Sequence, residues 1–180
     1  MISLSVIHLS ALSDVATVVV AVATVALVVA AIVGGFLTRT QIDEQRRIAR
    51  RRRAYDHLTT FNSRSFAETS IEAERVFLRF KEKGADGNAI WHGVSDSERA
   101  AVQTVLNFYE ESANEYNAQF LDPKAAEPLV FVTVLMWQEV RDTVTWLRRG
   151  NRQFCEQWQK LYAAKAKGVL RAIDEPADGT

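Results

Sequence analysis

Apolar and polar positions divide the chain into two unlike parts. Residues 15–37, VATVVVAVATVALVVAAIVGGFL, carry no charge, and Thr17 and Thr24 are their only polar side chains. A soluble helix would show a polar stripe every 3.6 residues, and this run has none. At about 1.5 Å per residue it reaches roughly 34 Å as a helix, beyond the ~30 Å hydrocarbon core of a bilayer. Valine favours strands in water, but lipid offers no partners to backbone N–H and C=O groups, which forces a helix. The pattern predicts one transmembrane helix.

Beyond residue 37 the apolar positions recur at helical spacing. Residues 38–62 contain no Gly or Pro and predict a basic juxtamembrane helix that continues from the span after a flexible point at Gly34-Gly35. Its apolar stripe is partial (Ile42, Ala49, Tyr55, Leu58), and Asn62-Ser63 marks its break. A second helix follows, with Phe66, Ala73, Phe77 and Phe80 on one face and Gly84 as its expected C-cap. GADGNAIWHG, residues 84–93, reads as a turn-rich loop with Ile90 and Trp91 tucked onto the core.

Ser95 and Glu98 form a capping-box pattern ahead of a helix whose face is Val102, Val105, Leu106, Tyr109, Ala113, Tyr116 and Phe120. Pro123 stops that helix, and Asp122 is placed to cap the next, which is expected over about residues 124–149 with Pro128 in its first turns. Its predicted core stripe is Leu129, Val132, Leu135, Met136, Val140, Val144 and Leu147, with Gly150 ending it. The β-branched run PLVFVTVLMW could be a strand, but its length and setting favour a buried helix. A last helix is expected from Asn151, with Phe154, Trp158, Leu161 and Tyr162 facing inward, and residues 174–180 form a polar tail. No segment reads as a strand. The expected fold is all-α: a transmembrane helix, then a cytoplasmic bundle of four or five helices over residues 63–173.

Charge sharpens this picture. Lys+Arg and Asp+Glu are both 22, so the net charge is zero, without the basic surplus usual in nucleic-acid-binding domains. The distribution is uneven. Residues 1–37 hold only Asp14, whereas Arg39, Arg46, Arg47, Arg50, Arg51, Arg52 and Arg53 follow the span closely. Arginines beside a span stay on the cytoplasmic side. The short segment 1–14 is therefore expected outside and residues 38–180 in the cytoplasm, at an inner (plasma) membrane. A cleaved signal peptide would need a basic leader and a shorter apolar core. Near anionic headgroups each arginine gains about 1 kcal/mol, so membrane lipids are the first expected partner. The single Cys155 permits no intrachain disulfide and suits a reducing compartment. Within the span, Ala26, Ala30 and Gly34 recur at four-residue steps, a spacing that lets two helices approach closely.

Candidate chemistry is sparse. His8, His57 and His92 share no ligand spacing with one another or with Cys155, so no metal or cofactor is expected. No phosphate loop, dinucleotide fingerprint or nucleophile elbow occurs. Asp56 and His57 are helical neighbours that do not face each other, and read as solvated. Asn107, Glu110, Glu111 and Asn114 share one helical flank at i, i+3, i+4 and i+7. Such a flank serves either as polar packing or as the polar wall of a pocket, where burial would have to split the two carboxylates for acid–base work.

VLNFYEESANEYNAQFLDP, with MWQEVRDTV and FCEQWQKLY downstream, resembles a bacterial family, the domain of unknown function 4760. Leu106, Asn107 and Glu110 match its LNxxE-like helix, and the likeness extends loosely over residues 45–165. The resemblance implies an amino-terminal span, a basic juxtamembrane helix and a helical domain that ends in an aromatic-rich helix. It implies a bacterial inner-membrane location and no activity. The favoured functional reading is a non-enzymatic interaction or assembly module with a protein partner or a second copy. Two alternatives stand behind it: a sensor or enzyme with a pocket in the bundle, and nucleic-acid binding through the arginine run.

Overall fold

The computed structural model describes residues 3–82 and 86–174, with side chains described for residues 19–82 and 86–170. The described residues are all-helical, with no strand: α1 Ser3–Phe61, α2 Arg64–Lys81, α3 Gly87–Gly93, α4 Asp96–Asn117, α5 Glu127–Leu147 and α6 Glu156–Asp174. The chain divides into two compact units, Met1–Arg47 and Ile48–Thr180, and the division falls within α1.

In the first unit the helix passes through Gly34 and Gly35 without a break. From Val19 to Phe61, where its side chains are described, α1 contains a stretch long and apolar enough to cross a membrane, and none of that stretch is buried. Its polar side chains are satisfied locally. The hydroxyls of Thr24, Thr38 and Thr40 donate to the carbonyls of Val20, Gly34 and Phe36, at 2.8, 2.8 and 3.0 Å. A hydroxyl bonded back onto its own helix carries less penalty in hydrocarbon than a free one.

The second unit begins with the last turns of α1, which stop where expected, at Phe61. Ser63 then caps α2, its Oγ accepting from the Phe66 N–H at 3.2 Å. The predicted face of α2 is buried: Phe66, Ala73, Phe77 and Phe80, joined by Val76. The helix ends at Lys81; the expected Gly84 cap lies outside the described residues, as does the tail beyond Asp174. Within the segment read as a loop, Gly87–Gly93 is instead a short helix. Asp86 nucleates α3 by accepting from the Asn88 N–H at 3.0 Å, and Ile90 and Trp91 are half-buried against the core.

At the centre lies α4, packed on both α2 and α6. Its capping box is complete: Ser95 Oγ accepts from the Glu98 N–H at 3.2 Å, and the Ser95 N–H donates to Glu98 Oε2 at 2.9 Å. That backbone donor, with help from Arg79, holds the Glu98 carboxyl below the ordinary range. Val102, Val105, Leu106, Tyr109 and Ala113 are buried as predicted. Tyr116 is half-buried, and Phe120 departs from prediction at 52 % exposed, because α4 ends at Asn117 and Gln119 turns the chain at φ 60.

In α5 the ambiguous run is a helix with Pro128 in its first turn. It starts at Glu127, later than predicted, because residues 123–126 form a turn that Asp122 caps by accepting from the Ala125 N–H at 2.9 Å. It ends at Leu147, before Gly150. Its buried face is rotated from the predicted stripe. Val130, Thr133, Val134 and Trp137 are buried with Leu129, Val140 and Val144, whereas Val132, Leu135 and Met136 are half-exposed. The helix is apolar around most of its girth, so periodicity did not single out one face.

The start of α6 also corrects the prediction. Asn151 caps only a turn, accepting from the Gln153 N–H at 3.1 Å, and the helix begins at Glu156. Between them Cys155 takes a left-handed conformation, φ 54, which interrupts any helix from Asn151.

Candidate functional site

Glu110 stands where polar chemistry and packing meet. It projects from α4 at the first turn of α6, whose N–H groups have no partner within their own helix. The Gln157 N–H donates to Glu110 Oε1 at 3.0 Å and the Trp158 N–H donates to Oε2 at 2.8 Å. The residue before α6 is Cys155, a poor cap, and Glu110 supplies the acceptor from a different helix. Its charge also complements the positive end of the α6 dipole.

Trp158, so held, is fully buried. Its ring stacks on Tyr109 at 4.8 Å and meets Trp137 edge-on at 5.4 Å. Its Nε1–H donates to the Thr133 carbonyl of α5 at 2.7 Å. Burial raises the Tyr109 phenol above its ordinary range. From the other side, Arg148 clamps the turn before α6, donating through Nε to the Phe154 carbonyl at 2.7 Å and through Nη2 to the Cys155 carbonyl at 3.0 Å. Burial pushes the Cys155 thiol up to about 12; the Glu110 charge adds to this and Arg148 opposes it. Such a thiol stays protonated and is a poor nucleophile.

The predicted flank of four polar residues is thus split. Glu110 is half-buried and engaged with α6, whereas Asn107, Glu111 and Asn114 are exposed. The two glutamates do not form a buried carboxylate pair.

His57 corrects the solvated reading. Its side chain is 14 % exposed, and Nε2 lies 3.1 Å from Glu115 Oε2. Ser112 Oγ lies 3.2 Å from His57 Nδ1 and donates to the Phe108 carbonyl at 2.8 Å. Serine, imidazole and carboxylate are therefore in line, but Ser112 is only 2 % exposed and its hydroxyl is bonded within its own helix. The arrangement fastens α1 to α4, with Ala54 fully buried beside it. Asp56 is exposed, as predicted. The spacing of Ala54, His57, Leu58 and Phe61 is the signal that places His57 on the packed face.

All seven arginines of the run, Arg39, Arg46, Arg47, Arg50, Arg51, Arg52 and Arg53, are exposed. Arg47 pairs with Glu44 at 2.9 Å, Arg51 donates to the Tyr55 hydroxyl at 3.3 Å, and Arg53 lies over the Phe120 ring at 5.5 Å. Exposed pairs of this kind are weak and leave the charge available to a polyanionic surface. Ala26, Ala30 and Gly34 are exposed along the apolar helix, and a Cβ added at Gly34 meets nothing within 4 Å. Among the described residues, no three His, Cys, Asp or Glu side chains come together to hold a metal ion.

The model of a family described as a domain of unknown function (DUF4760) matches residues 13–164, which takes in the apolar stretch of α1 and the bundle as far as the first half of α6. No curated protein matches the chain, and neither does any solved structure.

Proposed function

We propose that this chain, which belongs to the DUF4760 family, is a single-pass membrane protein whose helical bundle is a non-enzymatic interaction or assembly module. One observation carries the reading: the apolar stretch of α1 is wholly unburied. A soluble protein would cover such a surface, whereas a bilayer solvates it. The arginines beyond it support an orientation with the short leading segment outside and residues 38–180 in the cytoplasm, at an inner membrane. Their exposure leaves them free to engage anionic headgroups. Self-association through Ala26, Ala30 and Gly34 fits their four-residue spacing.

The module reading draws on where the polar groups are spent. Glu110, Arg148, His57 and Ser112 are engaged in joining helices, Ser112 through its contact with His57. The test is gentle solubilisation of membranes holding the full chain, followed by affinity purification and mass measurement of the complex. A stoichiometric partner or a dimer is expected. A chain that stays in the aqueous fraction, or a strictly monomeric and partnerless one, overturns the reading.

A further inference from the structure

An open groove of about 520 Å³ runs between α2 and α5. Phe66, Phe77 and Tyr109 form its floor, and Met136 lies along its α5 wall. Ile71 and Leu78, 55 % and 51 % exposed, stand on its α2 rim. They continue an apolar line with Ala67 at i, i+4 and i+11, on a side of α2 away from its buried face. Exposed large aliphatics beside a concave apolar surface mark a binding face more than solitary ones do.

Charge narrows the occupant. Among the described residues, the charged ones lining the groove are Glu74 and Glu139, although the chain as a whole carries equal numbers of acidic and basic residues. Lys81 neutralises Glu139 at 2.6 Å, and among the described residues no cation lines the groove beside Glu74. A second copy paired through parallel α2 helices fits poorly. Two parallel α2 helices meeting along Ala67, Ile71 and Leu78 would bring Glu74 against Glu74, and like charges at such a seam repel.

We propose that this groove binds a basic amphipathic helix of a partner protein, with apolar anchors between Ile71, Leu78 and Met136 and a Lys or Arg reaching Glu74. From Ala67 to Leu78 the rim spans about 16 Å, or about three helical turns. Apolar anchors at i, i+3 or i+4, and i+7 match that length, the ordinary mode of a helix in a groove. Met136 offers an adaptable, polarizable wall. The inference rests on the module reading above and names the face and the partner class.

The test uses the full chain in nanodiscs of zwitterionic lipid and two fluorescent probes: an amphipathic Leu/Lys helical peptide of 18 residues and its Leu/Glu counterpart. Anisotropy should show saturable binding of the Leu/Lys probe. Ile71→Ser with Leu78→Ser, both on the exposed rim, should weaken it by about tenfold or more, and Glu74→Lys should also weaken it. Circular dichroism and thermal unfolding confirm that the variants fold. Equal binding of both probes, or binding unchanged in the rim variants, overturns the proposal. A wild-type dimer that becomes monomeric in the rim variants also overturns it, by assigning the groove to a second copy. Failure of the groove leaves membrane insertion and the purified complex intact; failure of the module reading removes those as well.

Discussion

The backbone N–H of Trp158 donates to the Glu110 carboxylate at 2.8 Å, so the first turn of α6 is capped by a side chain from α4, 48 residues away in sequence. This contact joins the central helix to the last helix and fixes the residue around which Tyr109, Trp137 and Thr133 assemble. Hydrogen bonds to an ionised acceptor are each worth about 1.5–3 kcal/mol, and an orphaned buried donor costs a similar amount.

Replacing Glu110 therefore tests stability first. Glu110→Gln keeps the shape but loses the charge and one acceptor oxygen. It should lower unfolding stability by about 1.5–3 kcal/mol, measured by denaturant titration of the solubilised protein. Glu110→Ala should cost more. Unchanged stability together with loss of a cellular phenotype would instead place Glu110 in a ligand pocket.

Cys155 should be inert. The folded protein holds its thiol proton up to about pH 12, whereas an unfolded chain releases it near about 8.5. Between these values the folded state binds more protons, so stability falls as pH rises through that window. The contribution is fully present below the lower value. Thermal unfolding from pH 8 to pH 10.5 should show a downward slope that is shallower in Cys155→Ala. A maleimide should label the native protein at neutral pH far more slowly than the unfolded one.

Gly87 is required by a close approach rather than by its backbone angles. A Cβ there would collide with Trp146 Cδ1, and the indole is wedged between Phe80 and Trp91, at centroid distances of 5.6 and 5.5 Å. Gly87→Ala should displace the ring and destabilise the bundle by about 1–3 kcal/mol, which shows as a lower midpoint and altered tryptophan emission. Gly93, with open space around it, should accept Ala with little effect.

The helices and several of their ends were legible because their signals are local. The Ser95–Glu98 capping box, Pro128 in a first turn and the break at Asn62-Ser63 depend only on neighbouring residues. What escaped was what the tertiary structure decides. Apolar residues nearly surround α5, so which of Val132 or Thr133 faces inward depends on its neighbours. The start of α6 depends on an acceptor supplied by α4 and on a left-handed Cys155. His57 looked solvated because its partners, Ser112 and Glu115, lie more than 50 residues away. At the candidate site, the flank of four polar residues was visible as a pattern, but only Glu110 meets another helix.

Orientation should follow the arginines. Replacing Arg46, Arg47, Arg50, Arg51, Arg52 and Arg53 by Gln while placing four Lys before residue 14 should invert the protein, because the basic flank decides which end is retained. A fusion reporter active only outside the membrane, attached after residue 180, should switch from silent to active.

The account is tested most directly by labelling single introduced cysteines in intact cells with a membrane-impermeant maleimide. Native Cys155 is buried, 2 % exposed, and contributes little background. Ser5→Cys should label in intact cells, whereas Thr180→Cys should label only after the membrane is opened. Labelling of Thr180→Cys in intact cells, with Ser5→Cys protected, would overturn a topology with residues 38–180 in the cytoplasm.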